Sequence, residues 1–195
     1  MTKTRLEAFS DGVIAILITI MVLELRIPHG DGFDSISPLW PVFVTYILSF
    51  VNLGIYWNNH HHMLQATKSI DGRVMWANLN LLFWLSLFPF VTGWMGENHF
   101  APLPTAVYGV VMVCAAVSYT ILQTTIVRHH ERENAKLKQA IGRDLKGKVS
   151  ILLYAAAIGL AFVDRWISFA LYATVSAIWF LPDRRIERTV RVLDE

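Results

Sequence analysis

Charge is scarce in this chain. Of its 195 residues only 16% are Asp, Glu, Lys or Arg, whereas 54% are hydrophobic, a balance that argues against a water-soluble domain with a single core. Cysteine is scarcer still: Cys114 stands alone, which excludes an intrachain disulfide and a cysteine-based metal centre. Missing as well are a phosphate-binding glycine loop, a nucleophile elbow, an H-E-x-x-H pair and acids spaced for acid–base chemistry. The chain has no internal repeat and no low-complexity segment. Nor does it open with a convincing signal peptide, because the first apolar run is long, contains Asp11 and lacks a small-residue cleavage site.

What is present is a series of long apolar runs, with a mean hydropathy of +0.44. They predict an all-α integral membrane protein of one domain with spans at approximately 5–26, 38–60, 73–95, 102–128, 147–163 and 165–182. The last two are short and are separated by Asp164-Arg165, where a tight hairpin is expected; Pro89 is expected to kink the third. Six crossings place Lys3, Arg5, Lys68, Arg73, the seven basic residues from Arg128 to Lys148, and Arg184, Arg185, Arg188 and Arg191 on one side. Only Arg26 and Arg165 fall on the other, so the positive-inside rule puts both termini in the cytoplasm. The segment from Ile27 to Pro38 is rich in turn residues and is expected to be an external connector. The charged stretch from Arg128 to Lys148 is expected to be a solvated loop touching anionic lipid, with a short helix ending at Gly142. Topology accounts for its basic residues without invoking nucleic acid.

The first run, RLEAFSDGVIAILITIMVLEL from Arg5 to Leu25, carries polar groups that apolar packing does not require. At about 100° per residue, Arg5, Phe9, Gly12, Ile16, Ile20 and Leu23 share one face, with Thr19 at its edge and Asp11 nearly opposite. A carboxylate at that depth needs a donor in the bundle. The second run ends in Tyr56-Trp57-Asn58-Asn59-His60-His61-His62, at the same side of the membrane as Arg5, Ser10 and Asp11. Trp57 and His61, four residues apart, share a helix face and could dock onto Ser10 or Asp11. The stripe of Ile16, Ile20 and Leu23 with Thr19 is open to two readings: ordinary helix packing, or rings of apolar side chains around an oligomer axis that gate by dewetting.

The same residues suggest two other chemistries. His60, His61 and His62 with His129 and His130 form a cytoplasmic cluster like those of membrane iron enzymes, but consecutive residues diverge by about 100° on a helix and spaced ligand boxes are lacking. Alternatively, a secondary cation or proton transporter would use Asp11 or Glu24 as a coupling carboxylate; the sequence shows no inverted repeat or broken-helix pair to support one.

The motif Arg5-x-x-x-Phe9-Ser10-Asp11, followed by Gly12-Val13-x-Ala15-Ile16-x-Ile18-Thr19, resembles the signature of the bacterial relatives of the lysosomal and endosomal potassium channel. The likeness extends to length, span count and the Trp57 and His61 pairing. It implies a homotetramer of six-helix subunits around a pore lined by the first helix, without the T-V-G-Y-G loop of ordinary potassium channels. By position it implies that Ile16 forms the main constriction and that Thr19, Ile20 and Leu23 line the turns outward. Arg5, Ser10, Asp11, Trp57 and His61 would form the hydrogen-bond network that holds the pore helix. It further implies passive, potassium-favouring permeation, no enzymatic activity, no cofactor besides the permeant K+, and location in a bacterial inner membrane, with its own copies and lipid as partners.

Overall fold

The computed structural model describes residues 2–65, 67, 69–130 and 145–180, and these are helical with short connections. The first helix, α1, spans Lys3–Leu23, about 31 Å at 1.5 Å per residue. It ends where the Glu24 amide closes on Ile20 O, ahead of Pro28, which cannot prolong it.

The connector is less loop-like than its composition suggests. Gly30 at φ +128° turns the chain, after which a short helix α2, Phe33–Ile36, and a single 3-10 turn, Ser37–Leu39, lead into α3, Trp40–Gln65. Pro38 lies in the first turn of that 3-10 segment, where the missing N–H would have had no partner anyway. At its other end α3 continues five residues beyond the expected boundary at 60, because Met63 and Leu64 are buried against the bundle. The histidines are therefore inside a helix.

The third span is two helices, α4 (Gly72–Ser86) and α5 (Phe88–Glu97). The Asp71 carboxylate accepts from Val74 N at 2.9 Å and starts α4. The break at Leu87 follows from Pro89, which has no N–H for Leu85 and whose ring would press on that carbonyl. After α5 the chain reverses through His99 and Phe100, both at positive φ. For Phe100 that conformation is costly, and the ring is held by Trp40, Trp166 and Phe169 at 5.1–5.7 Å. Helix α6, Pro102–His130, is followed by α7, Leu145–Leu160, and α8, Arg165–Phe180. The chain turns between the last two at Asp164, whose carboxylate accepts from Trp166 N at 2.8 Å.

Among the described residues four helical stretches are long and apolar enough to cross a membrane: Lys3–Leu23, Phe33–Gln65, Gly72–Glu97 and Pro102–Arg128. Helices α7 and α8 have 16 residues each, about 24 Å. Of the charged stretch expected as a loop from Arg128 to Lys148, residues 128–130 belong to α6 and 145–148 to α7, while 131–144, with the expected helix end at Gly142, lie outside the described residues, as do Lys68 and the C-terminal arginines.

The bundle is held by small residues and buried hydrogen bonds, as helix association in lipid requires. A side chain at Gly96 would meet Val42 Cα at 2.8 Å, so α5 and α3 touch almost backbone to backbone. Thr92 donates to Ser49 Oγ at 2.6 Å, Ser49 pairs with the Tyr108 hydroxyl at 3.1 Å, and Ser176 donates to Asn52 Oδ1 at 3.0 Å. These bonds tie α5, α6 and α8 to α3. Helix α1 packs on α3, α4 and α5.

Candidate functional site

Helix α1 has one seated face and one bare face. Leu6, Ser10, Ile14, Leu17 and Met21, at steps of three and four residues, are buried against the bundle. Arg5, Phe9, Gly12, Ile16, Thr19, Ile20 and Leu23 are all exposed, Ile16 at 57% and Leu23 at 80%. A Cβ placed on Gly12 would meet nothing within 4 Å. The stripe picked out by helical periodicity is thus the face that the protomer leaves uncovered.

Besides an exposed bond from Lys3 Nζ to Gln65 O of α3 at 3.1 Å, two polar attachments fix the orientation of this helix. On its flank, Trp57 Nε1 of α3 donates to Asp11 Oδ1 at 3.1 Å, and the Trp57 ring stacks on His61 at 6.1 Å and 24°. On its seated face, Ser10, fully buried, donates to Leu6 O and accepts from Asn78 Nδ2 of α4, both at 2.9 Å. Because the Asn78 amide nitrogen is committed to Ser10, its oxygen accepts from His60 Nε2 at 2.7 Å. His60 is therefore assigned the Nε2–H tautomer, and its Nδ1 has no partner among the described residues.

Within one protomer this geometry differs from three expectations. The histidine joined by hydrogen bonds to the Ser10 attachment is His60, not His61; the two point about 100° apart on α3, so His60 faces α4 while His61 only stacks on Trp57. Ser10 and Asp11 do not share one network but anchor α1 to two different helices. Arg5 is exposed and makes no hydrogen bond or ion pair among the described residues, so within one protomer it is outside both attachments. Asn78 was missed altogether. An amide in the middle of the apolar third run was the available signal, since a buried amide must find partners.

The remaining polar residues are placed as follows. Thr19 Oγ1 donates to Ile16 O at 2.8 Å, which spends the hydroxyl proton and leaves its lone pairs as acceptors. Glu24 caps α1 at its far end, beside the Arg26–Glu97 ion pair of 2.9 Å. His61 and His62 meet edge to face at 5.7 Å while His60 turns away to Asn78. Among the described residues no three His, Cys, Asp or Glu side chains converge on a metal-sized site.

The chain has relatives among known proteins. Residues 5–89 match the family described as endosomal/lysosomal potassium channel TMEM175. The chain is 51% identical to a potassium channel of Chryseobacterium sp. strain P1-3, over 98% of this chain and 99% of that one. It is 29% identical to a potassium channel of Streptomyces collinus over 88% of both chains. Among solved structures it is similar to a lysosomal potassium-selective channel TMEM175 homolog from Chamaesiphon minutus. That likeness has a TM-score of 0.77 and 27% identity, and covers 92% of this chain and 96% of that one.

Proposed function

The chain belongs to the TMEM175 potassium channel family, and from that premise we propose how it conducts. It is a multi-pass membrane potassium channel and not an enzyme. Four copies assemble with their α1 helices around one axis, in a bacterial inner membrane with both termini in the cytoplasm. The single observation that carries this reading is the uncovered face of α1. Its helix is locked to α3 and α4 by Asp11 and Ser10, yet Ile16, Ile20 and Leu23 remain 57%, 37% and 80% exposed among the described residues.

Around a fourfold axis the Ile16 side chains form the narrowest ring, with Thr19, Ile20 and Leu23 lining the turns outward. A narrow apolar ring excludes water, so ions must shed part of their hydration to pass. Sodium holds its hydration shell more strongly than potassium, so the ring disfavours sodium. Thr19, its lone pairs left as acceptors, replaces part of the lost shell. Permeation is passive and the electrochemical gradient drives it, with no cofactor beyond the permeating K+. Arg5, bare within the protomer, lies on the same face at the cytoplasmic mouth, where neighbouring copies and lipid headgroups supply its partners.

Purified protein reconstituted in planar bilayers under a potassium/sodium gradient tests this. Unitary currents reversing toward the potassium potential are expected. Saturable flux without unitary events would instead favour a secondary transporter that uses Asp11 or Glu24.

A further inference from the structure

The backbone dipole of a helix leaves about half a negative charge at its C-terminal end, so bases are favoured there and acids are not. Helix α1 breaks that rule. Its last turn holds no basic residue, and its C-cap is the exposed Glu24. Like charges repel at this point, and nothing in the protomer compensates: the Glu24 carboxylate has no hydrogen bond or ion pair among the described residues. A local preference violated without local compensation points to a residue that serves function rather than folding.

Neither basic residue at that end of the bundle reaches Glu24. Arg26 lines the same recess, but its guanidinium holds Glu97 at 2.9 Å. The Arg165 guanidinium lies 5.7 Å over the Trp166 ring. Asp31 and Asp34 of the connector add charge of the same sign as Glu24.

We propose that Glu24, with the C-terminal dipole of α1, forms an electrostatic funnel that concentrates K+ at the external mouth and so sets conductance. The inference rests on the reading of α1 as the pore helix. Glu24 lies about 12 Å beyond Ile16 along the helix, at 1.5 Å per residue. Four α1 helices packed about 8–10 Å apart hold the four carboxylates roughly 10 Å from the axis. At that range they coordinate no ion. The charge acts through space, raising the local cation concentration without distinguishing potassium from sodium. Four such charges raise local K+ about fivefold at about 10 mM salt, where the screening length is about 30 Å, and hardly at all at about 1 M, where it is about 3 Å.

The full-length protein in planar bilayers tests this, with wild-type unitary currents read first. Their absence refutes the pore itself, whereas the variants bear on Glu24 alone. In symmetric KCl at about 10 mM, Glu24→Gln lowers the current of K+ entering at the Glu24 end about fivefold, and at about 1 M leaves it unchanged. The potassium-to-sodium permeability ratio stays as in the wild type. The Tm stays level or rises, because an acid is removed from the negative end of a helix. Arg26→Gln, which leaves the Glu97 charge unpaired, raises the low-salt current. To separate charge from shape, Glu24→Cys in a Cys114→Ala background is treated with thiol reagents from one compartment at a time. From the compartment that this end faces, an anionic reagent restores the low-salt current and a cationic one depresses it further. Unchanged current for Glu24→Gln at about 10 mM overturns the proposal. So does a loss that persists at about 1 M, or a shifted permeability ratio, because either means that the carboxylate acts by contact and not through its field.

Discussion

The two faces of α1 have nearly the same apolar composition and opposite fates. Leu6, Ile14, Leu17 and Met21 are buried around Ser10, whereas Phe9, Ile16, Ile20 and Leu23 stand free. Hydrophobicity does not separate them, since a membrane tolerates apolar side chains on either face. The polar residues do. Ser10 and Asp11 find Asn78 and Trp57 within the protomer, and these bonds decide which face turns inward. The opposite face, bearing Gly12 and Thr19, is then the one left uncovered, and under the proposed function it meets other copies and the permeating ion.

The largest contrast is expected between Ile14→Asn and Ile16→Asn. The first buries an unpaired amide and should cost about 3 kcal/mol or more, read as lost folded yield and a lower Tm. The second should leave the protomer's Tm nearly unchanged while loosening the gate and reducing ion discrimination in bilayers. Equal losses of folded yield would erase the distinction between the faces.

Next in size is Asn78→Leu, which strips partners from buried Ser10 and His60 and should destabilise the protomer by about 2 kcal/mol. Asp11→Ala removes only the half-exposed bond to Trp57 and should cost less, about 1 kcal/mol, appearing as weaker assembly or smaller conductance. A larger thermal shift for Asp11→Ala than for Asn78→Leu would reverse the order of the two attachments. Smallest is Thr19→Val, which keeps shape and removes the acceptor oxygen. Stability should not change, and the potassium-to-sodium permeability ratio should fall about fivefold, the worth of one hydrogen-bond-sized interaction; an unchanged ratio would remove Thr19 from selectivity.

Periodicity along α1 separates the same two faces that the structure separates, because a single helix fixes its own angles. Pro89 likewise announces the break between α4 and α5, since ring and missing N–H act locally. What a neighbouring helix decides was not legible. His60 and His61 are equal in sequence, and only the position of α4 makes His60 the partner of Asn78. Arg5 reads as a network member from its motif, yet its partners are not on its own protomer's described residues. The connector's helical turns at Phe33–Leu39 were hidden because Gly, Pro and Ser suit a loop and a helix start equally well.

The most direct test of the bare face as the ion pathway uses the lone native thiol to advantage. In a Cys114→Ala background, Ile16→Cys and Ile14→Cys are compared for block of potassium current by a water-soluble cationic thiol reagent. The account predicts rapid, irreversible block at position 16 and none at position 14. Block at 14 with 16 untouched, or current through both unaffected, would contradict it.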